Sequence, residues 1–158
     1  MWVKESAGQG SLYRSQHEFI LVFKHGKKPH RNNIQLGKYG RYGTNVWTYR
    51  RVNALSRNSE DRDLPNHHPT IKPVDLVADA ILDCTARRDI VIDPFLGSGT
   101  TLIAAERTGR VCYGMELDPR YVDLAVRRWQ AFTGGIAVQA STSRSFNEIE
   151  EERHGQTE

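Results

Sequence analysis

The stretch Asp93-Pro94-Phe95-Leu96-Gly97-Ser98-Gly99-Thr100-Thr101 decides the fold of this chain. It follows the apolar run Ile90-Val91-Ile92 and leads into Leu102-Ile103-Ala104-Ala105-Glu106, which is typical of a helix. A β-branched strand, a glycine turn and a helix in this order form a ligand-binding unit of parallel sheets. The glycines let the backbone approach a ligand, and the helix N-terminus offers free N–H groups. The stretch therefore predicts a binding site at the end of a buried strand.

A second strand is predicted about twenty residues further on, at Arg110-Val111-Cys112-Tyr113-Gly114-Met115-Glu116. It ends in a carboxylate, as the first strand does. This spacing places Glu116 beside the glycine turn, where its oxygens are able to accept hydrogen bonds from ribose hydroxyls. The two strands together predict a cofactor that contains adenosine.

The spacing of apolar residues predicts the helices and strands around this turn. Helical intervals after Pro73 predict a helix over 73–86 from four positions: Val74, Val77, Ile81 and Cys84. Strand 89–93, helix 99–108 and strand 111–116 follow. Asp118-Pro119 is an N-cap and first-turn pair for a third helix, whose apolar face is Val122, Ala125, Val126 and Trp129. Gly134-Gly135 ends the regular part, before a short strand predicted at 136–138.

The two ends of the chain show less regularity. Residues 13–24 contain the apolar run 19–23, which predicts a buried strand, with a short partner strand at Trp2-Val3-Lys4. Residues 25–66 have no sustained period and predict an extended, loop-rich segment. The tail from residue 141 is rich in Ser, Glu and Arg, and we expect it to be mobile apart from Phe146 and Ile149.

Positive charge is concentrated in one segment. The net charge is +3, yet residues 24–62 contain ten Lys and Arg against two acids, whereas the rest of the chain carries 12 basic and 17 acidic residues. Such a block, interleaved with Tyr39, Tyr42, Trp47 and Tyr49, suits phosphate contacts and base stacking; on charge alone, a solvated loop is equally consistent. The predicted nucleic-acid contacts are Lys27, Lys28, Arg31, Lys38, Arg41, Arg50 and Arg51.

Three adenosine cofactors compete for the glycine turn. A nicotinamide site needs a third glycine where Leu102 stands, and a P-loop needs a lysine directly after Gly99. S-adenosylmethionine has no pyrophosphate to cradle, and its glycine turn lies against the methionine and ribose parts. The S-adenosylmethionine pattern fits best, and a nicotinamide-dependent oxidoreductase half-domain stays a minor alternative.

A further motif, His68-Pro69-Thr70-Ile71-Lys72-Pro73, stands about twenty residues before Asp93. Together with the glycine turn and Glu116, it closely resembles the DNA amino-methyltransferases that modify adenine N6 or cytosine N4. The match is to the class in which the cofactor half follows the catalytic half. It covers about residues 2–135 and includes 13–18 and 44–47. The resemblance implies a DNA methyltransferase that uses S-adenosylmethionine, with adenine N6 as the preferred target.

The resemblance also implies roles for individual residues. Asp93 and the turn would border the methionine moiety, with Phe95 packing on the cofactor. Glu116 would hold the ribose hydroxyls, and Leu117 would lie near the adenine. Thr70 and Lys72 would meet the methionine carboxylate. The implied cofactor-binding set is Thr70, Lys72, Asp93, Pro94, Phe95, Gly97, Ser98, Gly99, Thr100, Glu116 and Leu117. No metal site is predicted, because no ligand cluster surrounds His67 and His68.

The catalytic tetrapeptide of such enzymes, Asp/Asn/Ser-Pro-Pro-aromatic, is absent from the sequence. Its polar groups accept hydrogen bonds from the target amine, and its ring stacks on a base flipped out of the duplex. The nearest string, Asp118-Pro119-Arg120-Tyr121, lacks the second proline and stands where a helix cap belongs. In the family order the tetrapeptide would precede Trp2. We therefore expect the chain to be inactive alone, and a second chain or a missing N-terminal half to supply catalysis.

These features predict an α/β chain with the Rossmann-like, three-layer α/β/α fold of S-adenosylmethionine-dependent methyltransferases, and with an incomplete sheet. The predicted division is a partial methyltransferase domain over 1–140 and a mobile tail over 141–158. Within the domain, 24–66 is the basic DNA-facing segment and 67–135 carries the cofactor motifs. An incomplete sheet leaves apolar surface and an open edge, which favour pairing with another chain or aggregation.

The length of 158 residues and the composition agree with one domain, or with part of one. No apolar run approaches the roughly 20 residues of a membrane helix, and no signal-peptide pattern follows Met1. We expect a cytoplasmic protein without membrane contact, in which Cys84 and Cys112 are buried and reduced. One hypothesis of another class stays open: a non-enzymatic DNA-binding module that uses the basic 24–62 segment, whose DNA binding would be salt-sensitive and indifferent to S-adenosylmethionine.

Overall fold

A computed structural model of the chain describes residues 1–49 and 71–155. Its elements in chain order are β1 (Trp2–Val3), β2 (His17–Glu18), β3 (Trp47–Thr48), α1 (Val74–Cys84), β4 (Ile90–Asp93), α2 (Thr100–Thr108), β5 (Val111–Gly114), α3 (Pro119–Thr133) and α4 (Phe146–Gly155). From α1 to α3 the order alternates as predicted, and each boundary lies within two residues of its predicted position. None of the helices in the described ranges is long and apolar enough to span a membrane.

Strands β4 and β5 form a parallel pair joined by α2. Their register runs from Ile90 opposite Val111 to Asp93 opposite Gly114. The ladder extends by one more bond, in which the Met115 N–H donates to the Asp93 carbonyl at 2.9 Å. Because parallel strands end at the same edge of a sheet, Asp93 and Glu116 come together at the carboxyl end of this pair.

Helices α1 and α2 pack on one face of the β4–β5 pair. The buried cluster between them is Ala78, Ile81, Ala104 and Ala105, and Val91 and Cys112 pack against it from the strands. Alternate strand residues point to the opposite face. There Ile90, Ile92 and Tyr113 are 58%, 70% and 60% exposed. The described residues thus cover one face, and they do not form the third layer that the fold class includes.

A second, three-stranded sheet has the order β2-β1-β3. β1 pairs antiparallel with β2 and parallel with β3, and Trp2 is buried between them. The partner strand predicted at Trp2 is confirmed. The buried strand predicted over 19–23 is wrong, since β2 ends at Glu18 and the apolar residues Phe19, Leu21, Val22 and Phe23 are 73% to 90% exposed. An apolar run forms a strand only where a neighbour completes its hydrogen bonds, and in the described part of the chain no strand flanks this run.

The tail forms a helix where mobility was predicted. Ser145 and Glu148 make a capping box: the Glu148 N–H donates to the Ser145 hydroxyl at 3.3 Å, and the Ser145 N–H donates to the Glu148 carboxylate at 2.8 Å. α4 then packs on α3, where Arg127 forms a salt bridge with Glu150 and lies over the Phe146 ring. Residues 146–155 thus form a helix, an element that the sequence analysis did not predict. The strand predicted at 136–138 is reduced to one bridge between Val138 and Ser145.

The two cysteines differ in exposure. Cys112 is half-buried beside the core, and burial, with the nearby Asp93 carboxylate, raises the pKa of its thiol. Cys84 is exposed, which corrects the expectation of a buried thiol. It is the last residue of α1, where the chain leaves the helix, and its Sγ contacts the Ala80 carbonyl at 3.2 Å.

Candidate functional site

The glycine turn joins β4 to α2 in a tight, left-handed conformation. Gly97 and Gly99 have φ values of 54° and 81°, a region that side chains rarely adopt. The Gly99 N–H donates to the Leu96 carbonyl at 3.0 Å and closes the turn. A Cβ on Gly99 would lie 2.8 Å from the Cβ of Ala125 on α3. The turn thus requires glycine at position 99 both for its backbone and for its close contact with α3.

Glu116 lies beside this turn, as its spacing predicted. Its Oε2 accepts from the Gly97 N–H at 2.7 Å, and its Oε1 accepts from the N–H groups of Leu117 and Asp118 at 2.9 and 3.0 Å. Bonds from the Asp118, Gly97 and Leu117 amides hold the pKa of the carboxyl below its ordinary value. A carboxylate has about four acceptor positions. Three are occupied, so Oε2 has room for one further donor such as a ribose hydroxyl.

Asp93 and two exposed apolar side chains border the same turn. The Asp93 Oδ1 accepts from the Phe95 N–H at 3.0 Å, which folds the chain back directly after β4. Phe95 and Leu117 are almost fully exposed at this edge of the sheet. Carboxylates beside exposed apolar side chains suit a ligand that has both a sugar and a flat ring.

A charged cluster stands next to the N-terminus of α2. Glu18 accepts salt bridges from Lys4 and Lys72, both at 2.7 Å, and both ammonium groups lie over the buried Trp2 ring at 5.6 and 5.7 Å. Burial opposes ionisation of Glu18, but the two lysines outweigh it and hold its pKa below the ordinary value. The Thr100 hydroxyl lies 3.4 Å from the Lys72 carbonyl. Two cations and one anion beside a helix N-terminus favour a carboxylate ligand.

The basic segment reaches the body of the protein through Asn33. Its side-chain amide donates to the carbonyls of Leu82 and Thr85, at the C-terminal end of α1, at 2.7 and 2.8 Å. Arg41 donates to the Asn33 carbonyl at 2.8 Å, and Arg31 lies 3.9 Å from Asp89. These two arginines therefore have structural partners.

Three other predicted DNA contacts, Lys27, Lys28 and Lys38, are exposed. Three predicted site residues, Thr70, Arg50 and Arg51, lie outside the described ranges. The structure thus brings together the predicted cofactor residues from Lys72 onward. It leaves the five described members of the predicted DNA-facing set spread along an exposed loop.

Two contacts of the site could not be predicted from the spacing of residues along the sequence. Glu18 meets Lys72 only because strand pairing and the docking of α1 bring them together. Arg128, on α3, is buried and donates to Ser98 in the turn. In contrast, Asp118-Pro119 is the helix start that its sequence predicted, since Asp118 caps α3 and accepts from the Arg120 N–H at 3.0 Å. The string Asp118-Pro119-Arg120-Tyr121 is therefore a helix cap.

Comparison with known proteins places this chain in a family. The model of the N6/N4 methyltransferase family, described as DNA methylase, matches residues 1–127. The chain belongs to this DNA methylase family. The resemblance drawn from the glycine turn, the lead-in motif and Glu116 is thereby confirmed.

Individual DNA methylases extend the match. The type II methyltransferase M.BglII of Bacillus subtilis is 35% identical over 102 residues, which are 65% of this chain and 27% of that protein. M.HpaI of Haemophilus parainfluenzae is 28% identical over 162 residues, 92% of this chain and 48% of the other. The DNA adenine methyltransferase YhdJ of Escherichia coli K12 is 39% identical over 84 residues, 53% of this chain and 26% of its own length. The chain spans less than half the length of each.

A solved structure agrees on the fold. A putative DNA modification methylase from Thermus thermophilus, solved in complex with S-adenosyl-L-methionine, is 27% identical with a TM-score of 0.50. The match covers 85% of this chain and 52% of that one. The predicted α/β, Rossmann-like methyltransferase class is confirmed.

Proposed function

We propose that this DNA methylase chain is the cofactor-binding part of an enzyme that transfers methyl from S-adenosylmethionine to an exocyclic amine of a DNA base. The observation that carries the proposal is the 2.7 Å bond between Glu116 and the Gly97 N–H, which joins an acidic strand end to a left-handed glycine turn. Family membership and the fold support it. As the target we infer adenine N6 over cytosine N4, which is supported by the similarity to the DNA adenine methyltransferase YhdJ.

The described residues fit each part of S-adenosylmethionine. Glu116 offers its remaining acceptor position to a ribose hydroxyl, and Lys72 offers an ammonium to the methionine carboxylate. Phe95 and Leu117 supply apolar surface for the adenine and the methionine side chain, and Asp93 would border the methionine part. When bound, the cofactor supplies an electrophilic sulfonium methyl group, and the target amine is its acceptor.

The residues that would orient the target amine lie elsewhere. The chain has six prolines and no two are adjacent, so the Pro-Pro of the catalytic motif is absent. We infer that the chain alone transfers no methyl groups, because nothing aligns the amine with the methyl donor.

The open sheet face supports a polypeptide partner. Ile90, Ile92 and Tyr113 present apolar side chains on one side of β4 and β5, which costs free energy in water unless another surface covers them. The chain spans less than half of its curated relatives. We infer that a polypeptide with the catalytic motif covers this face, as a second chain or as an N-terminal half.

A calorimetric titration with S-adenosylmethionine tests the cofactor proposal. Wild-type chain is expected to bind S-adenosylmethionine and not NAD, and Asp93→Ala is expected to abolish binding. NAD binding at the same site would assign another cofactor class. Transfer of labelled methyl to DNA by the chain alone would contradict the proposed division of labour.

A non-enzymatic DNA-binding module is the second candidate, favoured by the exposed Lys27, Lys28 and Lys38. It predicts salt-sensitive DNA binding that S-adenosylmethionine does not change. Lys28→Glu should then weaken binding and reduce its salt dependence, whereas Arg144→Glu, with the same change in net charge, should not. Equal effects of the two variants would show that total charge, not this segment, governs DNA affinity.

A further inference from the structure

Arg128 is a buried arginine whose guanidinium contacts the glycine turn. Its residue is 8% exposed, and its Nη1 donates to the Ser98 carbonyl at 2.6 Å and approaches the Ser98 hydroxyl at 3.2 Å. Ser98 is itself only 5% exposed. Burying an arginine is unfavourable unless its charge is engaged by hydrogen bonds. Its placement under a turn that would border the cofactor therefore calls for a role.

The segment from Glu116 through α3 holds the turn from two sides. Glu116, just before α3, accepts from the Gly97 N–H, and Arg128, in the third turn of α3, donates to the Ser98 carbonyl. Between these anchors Ala125, one helical turn before Arg128, touches Gly99. The conformation of the turn thus depends on the docking of α3.

The bonds fix two of the three peptide groups in the turn. The Leu96–Gly97 peptide is held by Glu116 at its N–H, and by the Gly99 N–H at its carbonyl. The Ser98–Gly99 peptide is held by Leu96 at its N–H and by Arg128 at its carbonyl. These bonds fix the Cα atoms of Gly97 and Ser98, so the planar Gly97–Ser98 peptide between them is limited to rotation about the line that joins those two atoms. Among the hydrogen bonds of the described residues, that middle peptide takes part in none.

We propose that Arg128 is a positioning residue of the cofactor site: it holds the Ser98 carbonyl and so presents the Gly97–Ser98 peptide to the methionine part of the cofactor. This inference rests on the proposed function. It separates two halves of the site, since the adenosine half depends on Glu116, whereas the methionine half also depends on α3 through Arg128.

The test compares three variants of the full chain. Arg128→Met removes the guanidinium at similar volume, Arg128→Lys keeps the charge, and Arg127→Met changes the neighbouring arginine, which pairs with Glu150 on α4. Two quantities are measured: amide hydrogen exchange of residues 96–101 without ligand, and the dissociation constants of S-adenosylhomocysteine and adenosine.

Arg128→Met is expected to speed exchange in residues 96–101 and to weaken S-adenosylhomocysteine about tenfold, as loss of one charged hydrogen bond does. Adenosine affinity should change much less. Arg128→Lys should recover part of both effects, and Arg127→Met should match wild type. Unchanged exchange in Arg128→Met, or equal weakening of both ligands, would overturn the inference.

The controls separate this inference from its premises. If Arg128→Met does not fold, Arg128→Gln, whose side chain is neutral and too short to reach the Ser98 carbonyl in the same way, decides: faster exchange confined to the turn supports the positioning role, and exchange like that of wild type contradicts it. If wild-type chain binds neither ligand, the proposed cofactor function fails. The exchange comparison still decides whether Arg128 holds the turn.

Discussion

Gly99 combines a left-handed backbone with a close contact to a neighbouring helix. Its φ is 81°, and an added methyl group would lie 2.8 Å from the Ala125 Cβ. Gly97 has a φ of 54°, and a Cβ there would meet nothing closer than the Phe95 carbonyl oxygen at 4.0 Å. A side chain at either position therefore carries the same kind of backbone strain, and only at Gly99 does it also clash with a neighbouring helix.

Alanine substitution at these two glycines separates the two costs. We expect Gly97→Ala to lower the free energy of unfolding by about 1 kcal/mol, and Gly99→Ala by about 3 kcal/mol, because the second change adds overpacking to strain. Urea denaturation followed by circular dichroism measures both. Equal losses in the two variants would mean that the contact with Ala125 is relieved at no cost.

Glu116→Gln tests the carboxylate that accepts three backbone N–H groups. The substitution replaces one acceptor oxygen by an NH₂ group that faces a donor, so we expect a lower melting temperature at neutral pH. The pKa of folded Glu116 lies below its ordinary value of 4.5, so its contribution is present above that pH and is lost as the pH falls through the lowered pKa.

Thermal melts from pH 3 to pH 8 are the measurement for this variant. The difference between wild type and Glu116→Gln should be constant near neutrality and should close in acid. Glu5→Gln, at an exposed position outside this turn, is the control for the loss of one carboxylate. A gap in melting temperature that does not narrow as the pH falls would contradict a stabilising role of the ionised form of Glu116.

The sequence could predict the residues of the turn but not the residues that support it. Glycines after a β-branched strand, and an acid at the end of the next strand, are local patterns, so the bond between Glu116 and Gly97 follows from spacing. Arg128 reaches Ser98 only after α3 folds back over α2. Such contacts depend on how helices dock, and no spacing rule along one chain encodes them.

Among the elements, α4 could have been predicted from a short sequence pattern at its start. Ser145 and Glu148 have the spacing of a capping box, and Phe146 and Ile149 supply the apolar side toward α3. The polar composition of the tail concealed this pattern. The strand predicted over 19–23 was wrong for the opposite reason. Its apolar pattern is strong, but a strand also needs a neighbouring strand, which the composition of one segment does not reveal.

Ser145→Ala tests whether the capping box starts α4. Loss of the hydroxyl frees the Glu148 N–H, and the same hydroxyl, with the Ser145 N–H, holds the pKa of Glu148 below its ordinary value. We expect the melting temperature to fall by a few degrees and exchange in residues 146–150 to accelerate. Ser141→Ala, at an exposed position before the helix, should change neither quantity. Unaltered exchange in 146–150 would show that α4 is held by its contacts with α3 alone.

For the molecule as a whole, the two faces of the β4–β5 pair have opposite environments. Val91 packs toward α1 and α2, and the adjacent Ile92 points to the open face and is 70% exposed. Among the described residues, only the face that packs against α1 and α2 buries apolar side chains when the chain folds. The face that the described residues leave bare therefore contributes little to the stability of this chain, and its exposed apolar residues fit the polypeptide partner that we propose.

Substituting lysine at these two neighbouring positions tests that asymmetry. Val91→Lys places a charge in the core and should lower the free energy of unfolding by about 3 kcal/mol or more, whereas Ile92→Lys should change it by less than about 0.5 kcal/mol. Calorimetric melts of the two variants, with light scattering to record association, are the measurement. Ile92→Lys should also reduce self-association and prevent docking of a polypeptide that carries the catalytic motif. The variant mixed with that polypeptide should then transfer no methyl groups, although the variant still binds the cofactor. If Ile92→Lys unfolds the chain as Val91→Lys does, the second face is already covered by this chain itself, and the partner that we infer has no surface to occupy.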